Sequence, residues 1–139
     1  MPDLGLSGGT RKRKVTRFLR RALPNYEIAA TLGPCMRVKR SCRPVLNTGA
    51  GVNIVRTRVL PTNWIAYAEK LTTLPRIRDA NNNSLVTNYA IHLYVDTGGV
   101  RLFDSFLVSD NLSVPCILGT EFIEQNIEAI LPRLQKIVS

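Results

Sequence analysis

From Met36 onward the chain is cut by turn residues into short β-prone segments, and no long amphipathic helix interrupts them before Thr120. The deepest cut is Asp79-Ala80-Asn81-Asn82-Asn83-Ser84, because Asn tolerates left-handed backbone and Asx side chains bond their own chain. Segments of this length and spacing predict a small all-β domain. With one Trp and 6% aromatic residues, the core has to come from Val, Ile and Leu, which suit strands. At 139 residues there is room for one core and a tail, which excludes a large multidomain enzyme.

Met36 to Arg40 and Pro44-Val45-Leu46 read as the first two strands. Asn47-Thr48-Gly49-Ala50-Gly51 interrupts the second, and Val52 to Leu60 resumes it with Ile54, Val55 and Val59. Asp79 to Ser84 is a hairpin tip. Tyr89, Ile91, Leu93 and Val95 alternate with Ala90, His92 and Tyr94, and Asp96-Thr97-Gly98-Gly99 turns the chain into Val100 to Val108, a second hairpin. Cys116-Ile117-Leu118-Gly119 is an apolar strand closing on glycine. Thr120 is placed to cap a helix over Glu121 to Ala129, with Glu121 suiting its dipole and Ile123, Ile127 and Ile130 as its buried stripe. Pro132 ends the helix, and Leu134 to Val138 forms a last strand.

The net charge of +9 suggests a nucleic-acid partner, but its distribution redirects that reading. Eleven Lys and Arg fall at or before Arg43 against Asp3 and Glu27, whereas from Pro44 on there are eight of each sign. The basicity is therefore assigned to a leader, residues 1–35, and the folded domain to residues 36–139. Within the leader, Arg11-Lys12-Arg13-Lys14 precedes Val15, Phe18, Leu19 and Leu23 at helical spacing, up to Pro24. A short basic amphipathic helix of that kind touches RNA, acidic lipid or an import receptor; the plainer reading is a flexible linker. Nucleic acid held through Arg11 to Arg21 is the partner this segment predicts.

Three cysteines, Cys35, Cys42 and Cys116, are an odd number without a CxxC pair, and His92 is the sole histidine. Neither a disulfide framework nor a metal site is signalled. No run approaches the 18 or so apolar residues of a membrane span, and no apolar signal core opens the chain. An intracellular, reducing setting and no membrane partner are expected.

Two segments carry the chemistry. Pro44-Val45-Leu46-Asn47-Thr48-Gly49-Ala50-Gly51-Val52-Asn53-Ile54-Val55 is a strand, an Asx-Thr-Gly-Ala loop and a strand. Val114-Pro115-Cys116-Ile117-Leu118-Gly119-Thr120-Glu121-Phe122-Ile123 follows about seventy residues later as an apolar pair, a glycine and a helix start. Together, in order, with a hairpin tip between them, they resemble the retropepsin family of aspartic proteases, especially the protease domains of gypsy-type retrotransposon polyproteins. The resemblance spans about Met36 to Ile130.

That resemblance implies an all-β, retropepsin-like acid protease barrel with one C-terminal helix, each chain being one lobe of an obligate homodimer. It implies endopeptidase processing of a retroelement polyprotein, in cytoplasm, nucleus or virus-like particles, with an extended polypeptide as substrate and no cofactor. The family's catalytic Asp falls on Asn47, Thr48 would tie the two loops together, and Gly49 would allow their tight turn. Ala50 and Gly51 would line the substrate cleft, with Asn81, Asn82 and Asn83 at the flap tip closing over it by strand addition. Ile117, Leu118 and Gly119 would pack beneath the loop. Family chemistry needs two neighbouring carboxylates sharing a proton; Asn cannot serve as that base, so the chain as written is predicted to be inactive. The alternative is a non-catalytic, dimerising peptide-binding module with a nucleic-acid-binding leader.

Simpler readings stand beside these. Asn47 suits an ordinary Asx turn, although the second motif weighs against it. The literal Asp96-Thr97-Gly98 lies only about twenty residues before Ile117, too close for a flap hairpin, and reads as a hairpin turn. Cys116 with His92 reads as a small core residue and a solvent-facing one rather than nucleophile and base. Trp64 and Tyr67 read as core or dimer contacts.

Overall fold

The computed structural model describes residues 26–47, 49–79 and 81–137. They form one ten-stranded sheet with a short helical segment between its last two strands. The strands are β1 (Tyr26–Glu27), β2 (Ala30–Cys35), β3 (Val38–Cys42), β4 (Val45–Leu46), β5 (Ile54–Arg56), β6 (Ala68–Lys70), β7 (Thr87–Thr97), β8 (Val100–Ser109), β9 (Cys116–Leu118) and β10 (Gln135–Lys136). Their order across the sheet is β10-β1-β4-β9-β5-β8-β7-β2-β3, with β6 on β7.

The long hairpin β7–β8 is the frame, and alternation fixes its register. Ile91, Leu93 and Val95 are buried whereas His92 is exposed, so a one-residue slip would turn the whole apolar set to water. Its two-residue turn places Gly98 at φ +53° and Gly99 at φ +82°. Both values are left-handed, as a turn matched to strand twist requires.

The site is created by a crossing. β9 lies between β4 and β5, parallel to the first and antiparallel to the second. The chain from Leu46 to Ile54 must therefore arch over the end of β9. Beneath the arch Leu46, Val55, Cys116, Leu118, Phe122 and Ile123 belong to the main buried cluster, each 1% exposed or less. A smaller cluster of Ile54, Leu85 and Leu112, packed with Ile77, Val114 and Ile117, sits on the other side.

Five local expectations are corrected. The sheet begins at Tyr26, so β1 and β2 lie inside the stretch read as leader; Gly33-Pro34 within β2 hid the strand signal. Met36 and Arg37 form a turn and the strand is shifted to Val38–Cys42. The single helix expected over Glu121 to Ala129 is two, α1 (Thr120–Gln125) and α2 (Ile127–Ile130), followed by a 3-10 turn over Leu131–Arg133 that contains Pro132. The break falls at Asn126, whose side-chain amide donates to the Phe122 carbonyl at 2.9 Å, a local bond that competes with helix continuation. Thr120 does not cap: Gly119 occupies that position, and the Thr120 hydroxyl donates to the Ala50 carbonyl at 3.2 Å. Ile123, Ile127 and Ile130 are buried as their spacing predicts. The last strand is only Gln135–Lys136, paired with β1. The basic helix read over Val15 to Leu23 lies outside the described residues.

Candidate active site

Asn47 follows β4, and its N–H donates to the Leu118 carbonyl at 3.0 Å, carrying the β4–β9 pairing into the arch. Its Oδ1 accepts the Gly49 N–H at 2.9 Å, and its carbonyl accepts the Ala50 N–H at 3.1 Å. This is an Asx turn, formed because a short polar side chain can satisfy the backbone two residues on. Thr48 lies outside the described residues. The far limb of the arch is tied to the helix start, where the Ala50 carbonyl accepts from the Thr120 N–H at 2.9 Å.

Gly119 is where the two segments touch. A Cβ there would stand 2.7 Å from the Val52 carbonyl oxygen and 2.9 Å from that of Ala50, closer than real side chains come. The glycine is thus required by approach rather than by dihedral freedom.

Asn53 fastens the crossing. It is 5% exposed, its Oδ1 accepts the Gly119 N–H at 2.9 Å, and its amide donates to Asp104 Oδ2 at 3.0 Å and the Ser105 carbonyl at 3.1 Å. One buried amide thereby joins the arch, β8 and the helix start. Asn53 lies inside the Pro44 to Val55 segment with no sequence signal of its own; an Asn is most often exposed, and only the crossing reveals what it joins.

A cavity of about 750 Å³ lies over the arch. Asn47, Gly49, Ala50 and Gly51 face it from one side, Pro75 to Asp79 with Leu85 from another, and Leu112 to Val114 with Ile117 close it. Its walls are mainly apolar with few polar groups, the usual make-up of a binding cleft. The expected flap-tip residues Asn81, Asn82 and Asn83 are exposed and do not line it; the stem, Arg76 to Asp79, does. The tip is a tight turn with Asn82 at φ +66°. Asp79 Oδ1 accepts the N–H groups of Asn81 and Asn83, both at 2.9 Å. Asp79 is the sole acidic residue among the lining residues, and its carboxylate is spent on that turn. Ile117 faces the cavity, while Leu118 is fully buried beneath the arch.

The competing constellations come apart. Cys116 is fully buried, and burial pushes its thiol well above the ordinary range, the reverse of what a nucleophile needs. His92 is exposed and stacks on Phe103 with ring centroids 5.6 Å apart. Trp64 packs edge-on against Tyr89 at the core's margin, at 5.2 Å, whereas Tyr67 is 44% exposed. Among the described residues no group of His, Cys, Asp and Glu is arranged to hold a metal ion, and no helix is long and apolar enough to cross a membrane.

No family model matches the chain, and no curated protein matches it. Solved structures do. The chain is similar to EIAV protease complexed with the inhibitor HBY-793, at a TM-score of 0.51 and 18% identity, over 73% of this chain and 86% of that one. It is similar to the retroviral protease-like domain of Ddi1 from Leishmania major, at 0.54 and 13% identity, over 76% and 79%. The fold is retropepsin-like.

Proposed function

We propose that the chain is one subunit of a homodimeric, retropepsin-type aspartic peptidase whose parent activity is processing of a retroelement polyprotein, and that Asn47 renders it hydrolytically silent. The observation supporting this is the Asn47 arch, fixed to β9 and roofed by the Arg76 to Asp79 stem across one cleft. In a two-fold dimer each subunit presents position 47 to a shared centre. With Asp at both positions, like charges so close cannot both ionise, so the pair shares one proton. The ionised member accepts a proton from water while its protonated partner hydrogen-bonds the scissile carbonyl, and the water oxygen adds to carbon.

Two Asn side chains keep the hydrogen bonding and lose the base. The lining residues offer no replacement, since the Asp79 carboxylate caps its own turn. An extended peptide still fits the cleft, pairing its backbone with the stem. That favours the second reading, a dimerising module that binds peptide without cutting it.

The test sets the chain beside Asn47→Asp on a mixed peptide library, with and without pepstatin. Pepstatin-sensitive cleavage by Asn47→Asp alone is the expected result. Cleavage by the unaltered chain would overturn the proposed silence. If neither cleaves while both are folded dimers, the peptidase parentage falls and the binding module stands.

A further inference from the structure

Among the described residues that line the cleft over the arch, only Arg76, Arg78 and Asp79 carry charge. Asp79 is committed to its own turn, with Oδ1 accepting the Asn81 and Asn83 N–H groups at 2.9 Å and Oδ2 the Asn83 side-chain amide at 3.4 Å. Arg78 Nη1 donates to the Asn82 carbonyl at 2.9 Å, a neutral acceptor that leaves its charge uncancelled. Arg76 is exposed and makes no ion pair among the described residues. Two guanidiniums therefore stand on the cleft wall against one carboxylate that is already engaged. The stem backbone has one bonded edge and one open one. Around the Arg78–Ser84 bridge, the Leu85 N–H donates to the Ile77 carbonyl at 2.8 Å and the Asp79 N–H to the Asn83 carbonyl at 2.9 Å. The N–H and C=O of Arg78 turn the opposite way, as a residue between two bonded ones does in an antiparallel pair, and they find no backbone partner among the described residues. Side chains alternate in the same manner: Ile77 packs with Leu85 in the smaller cluster, so Arg76 and Arg78 share the opposite face of the stem.

We propose that the cleft selects extended peptides in which an acidic residue stands between apolar ones, its carboxylate meeting Arg76 and Arg78 while the apolar neighbours turn to Ile77 and Leu85. This rests on the reading of the cleft as a peptide site. A peptide added along the open edge of Arg78 places its side chains on the same two faces as those of the stem, and directly opposed residues of paired strands have Cβ atoms about 5 Å apart. A carboxylate at that distance is taken by the planar guanidinium fork in two parallel hydrogen bonds. A basic residue there meets like charge, so the stem rejects as well as attracts.

The experiment passes a mixed decapeptide library, with Asp, Glu, Asn, Gln and Lys in equal amounts, over the immobilised full chain and sequences the retarded peptides. The unaltered chain, Arg76→Gln and Arg76→Glu are run side by side; residues 1–25 are the same in all three. For the unaltered chain in low salt, Asp and Glu flanked by apolar residues should be enriched on the order of threefold over Asn and Gln, the scale of one exposed opposite-charge pair across strands. The enrichment should fade in about 1 M salt. Arg76→Gln should lose most of it, and Arg76→Glu should turn the preference toward Lys. Enrichment of the apolar neighbours should be the same for all three chains. If Arg76→Glu fails to fold, Arg76→Gln alone carries the test.

Three results would overturn the inference. Apolar enrichment without any preference for acid keeps the peptide cleft and removes the selection. An acid preference as strong in folded Arg76→Glu as in the unaltered chain moves the attraction away from the stem. Retardation of no peptide by the folded chain removes the selection together with the peptide-binding reading on which it rests.

Discussion

The chain carries two Asx-Thr-Gly tripeptides and uses them in opposite ways. Asn47-Thr48-Gly49 lacks the carboxylate, yet Asn47 and Gly49 stand where the chain arches over β9 and line the cleft of about 750 Å³. Asp96-Thr97-Gly98 has the carboxylate, yet it is the end of β7 and a two-residue turn into β8. There Asp96 is bonded by Lys39 and Arg101, and the Thr97 hydroxyl donates to the Ala29 carbonyl at 2.8 Å. The tripeptides differ by one amide and the outcomes by everything around them. What such a tripeptide presents is decided by the strands around it, not by its letters.

The largest effect that could break this comparison is on hydrolysis. On the proposed function, Asn47→Asp places a base in the arch, and general acid–base catalysis alone contributes 10²- to 10⁴-fold, so kcat/KM should rise from background by at least about 10²-fold, with an acidic pH optimum. Adding Asp96→Asn to that variant should leave kcat/KM within about twofold. Loss of the gained activity in a folded double variant would mean that Asp96 is needed alongside position 47.

Much of this arrangement was legible in the sequence because it depends on period and punctuation. The alternation of Tyr89 to Val95, the glycine pair at the second turn and the Asx cluster at the first each act locally, and the structure keeps all three as read. The Ile123, Ile127 and Ile130 stripe was equally readable, although Asn126 splits the helix. What escaped depends on contacts distant in sequence. The role of Asn53 exists only because β9 enters between β4 and β5. The Arg76 to Asp79 stem, and not Asn81 to Asn83, lines the cleft. A concavity lined by Arg40, Arg43, Arg56 and Arg58 draws on residues split between the basic first third and the charge-balanced remainder of the chain, which a running count of charge divides.

Stability should separate the two regions next. Gly119→Ala forces a methyl against two backbone carbonyls at 2.7 and 2.9 Å, neither free to move without breaking the arch, and should cost about 2–3 kcal/mol. Asn53→Ala strips the Gly119 N–H and the Ser105 carbonyl of their partner and should cost about 1–3 kcal/mol. At the other tripeptide, Gly98→Ala meets the Arg133 side chain at 1.6 Å, but that chain is flexible and can swing away. The remaining cost is the left-handed φ of +53°, about 1 kcal/mol. Urea midpoints give all three; a Gly98→Ala loss equal to that of Gly119→Ala would mean the hairpin turn is as constrained as the arch.

The smallest effect is electrostatic and belongs to Asp96 alone. Hydrogen bonding from Arg101, aided by Lys39, holds its carboxyl below the usual carboxylate range. A depressed folded-state value contributes stability above the unfolded value, near pH 3.9, and that contribution disappears as pH falls through the folded value. The side chain is 21% exposed and solvent screens such pairs, so Asp96→Asn should cost about 0.5–1 kcal/mol at pH 7 in low salt. The cost should shrink at pH 3, where the unfolded chain is already protonated at this position, and shrink again in 1 M salt, where the screening length falls to about 3 Å. Asn47 carries no charge at either pH, so the arch shows no such acid limb until Asn47→Asp installs one. An equal cost of Asp96→Asn at pH 3 and pH 7 would assign Asp96 a purely steric part in the turn and erase the electrostatic half of the contrast.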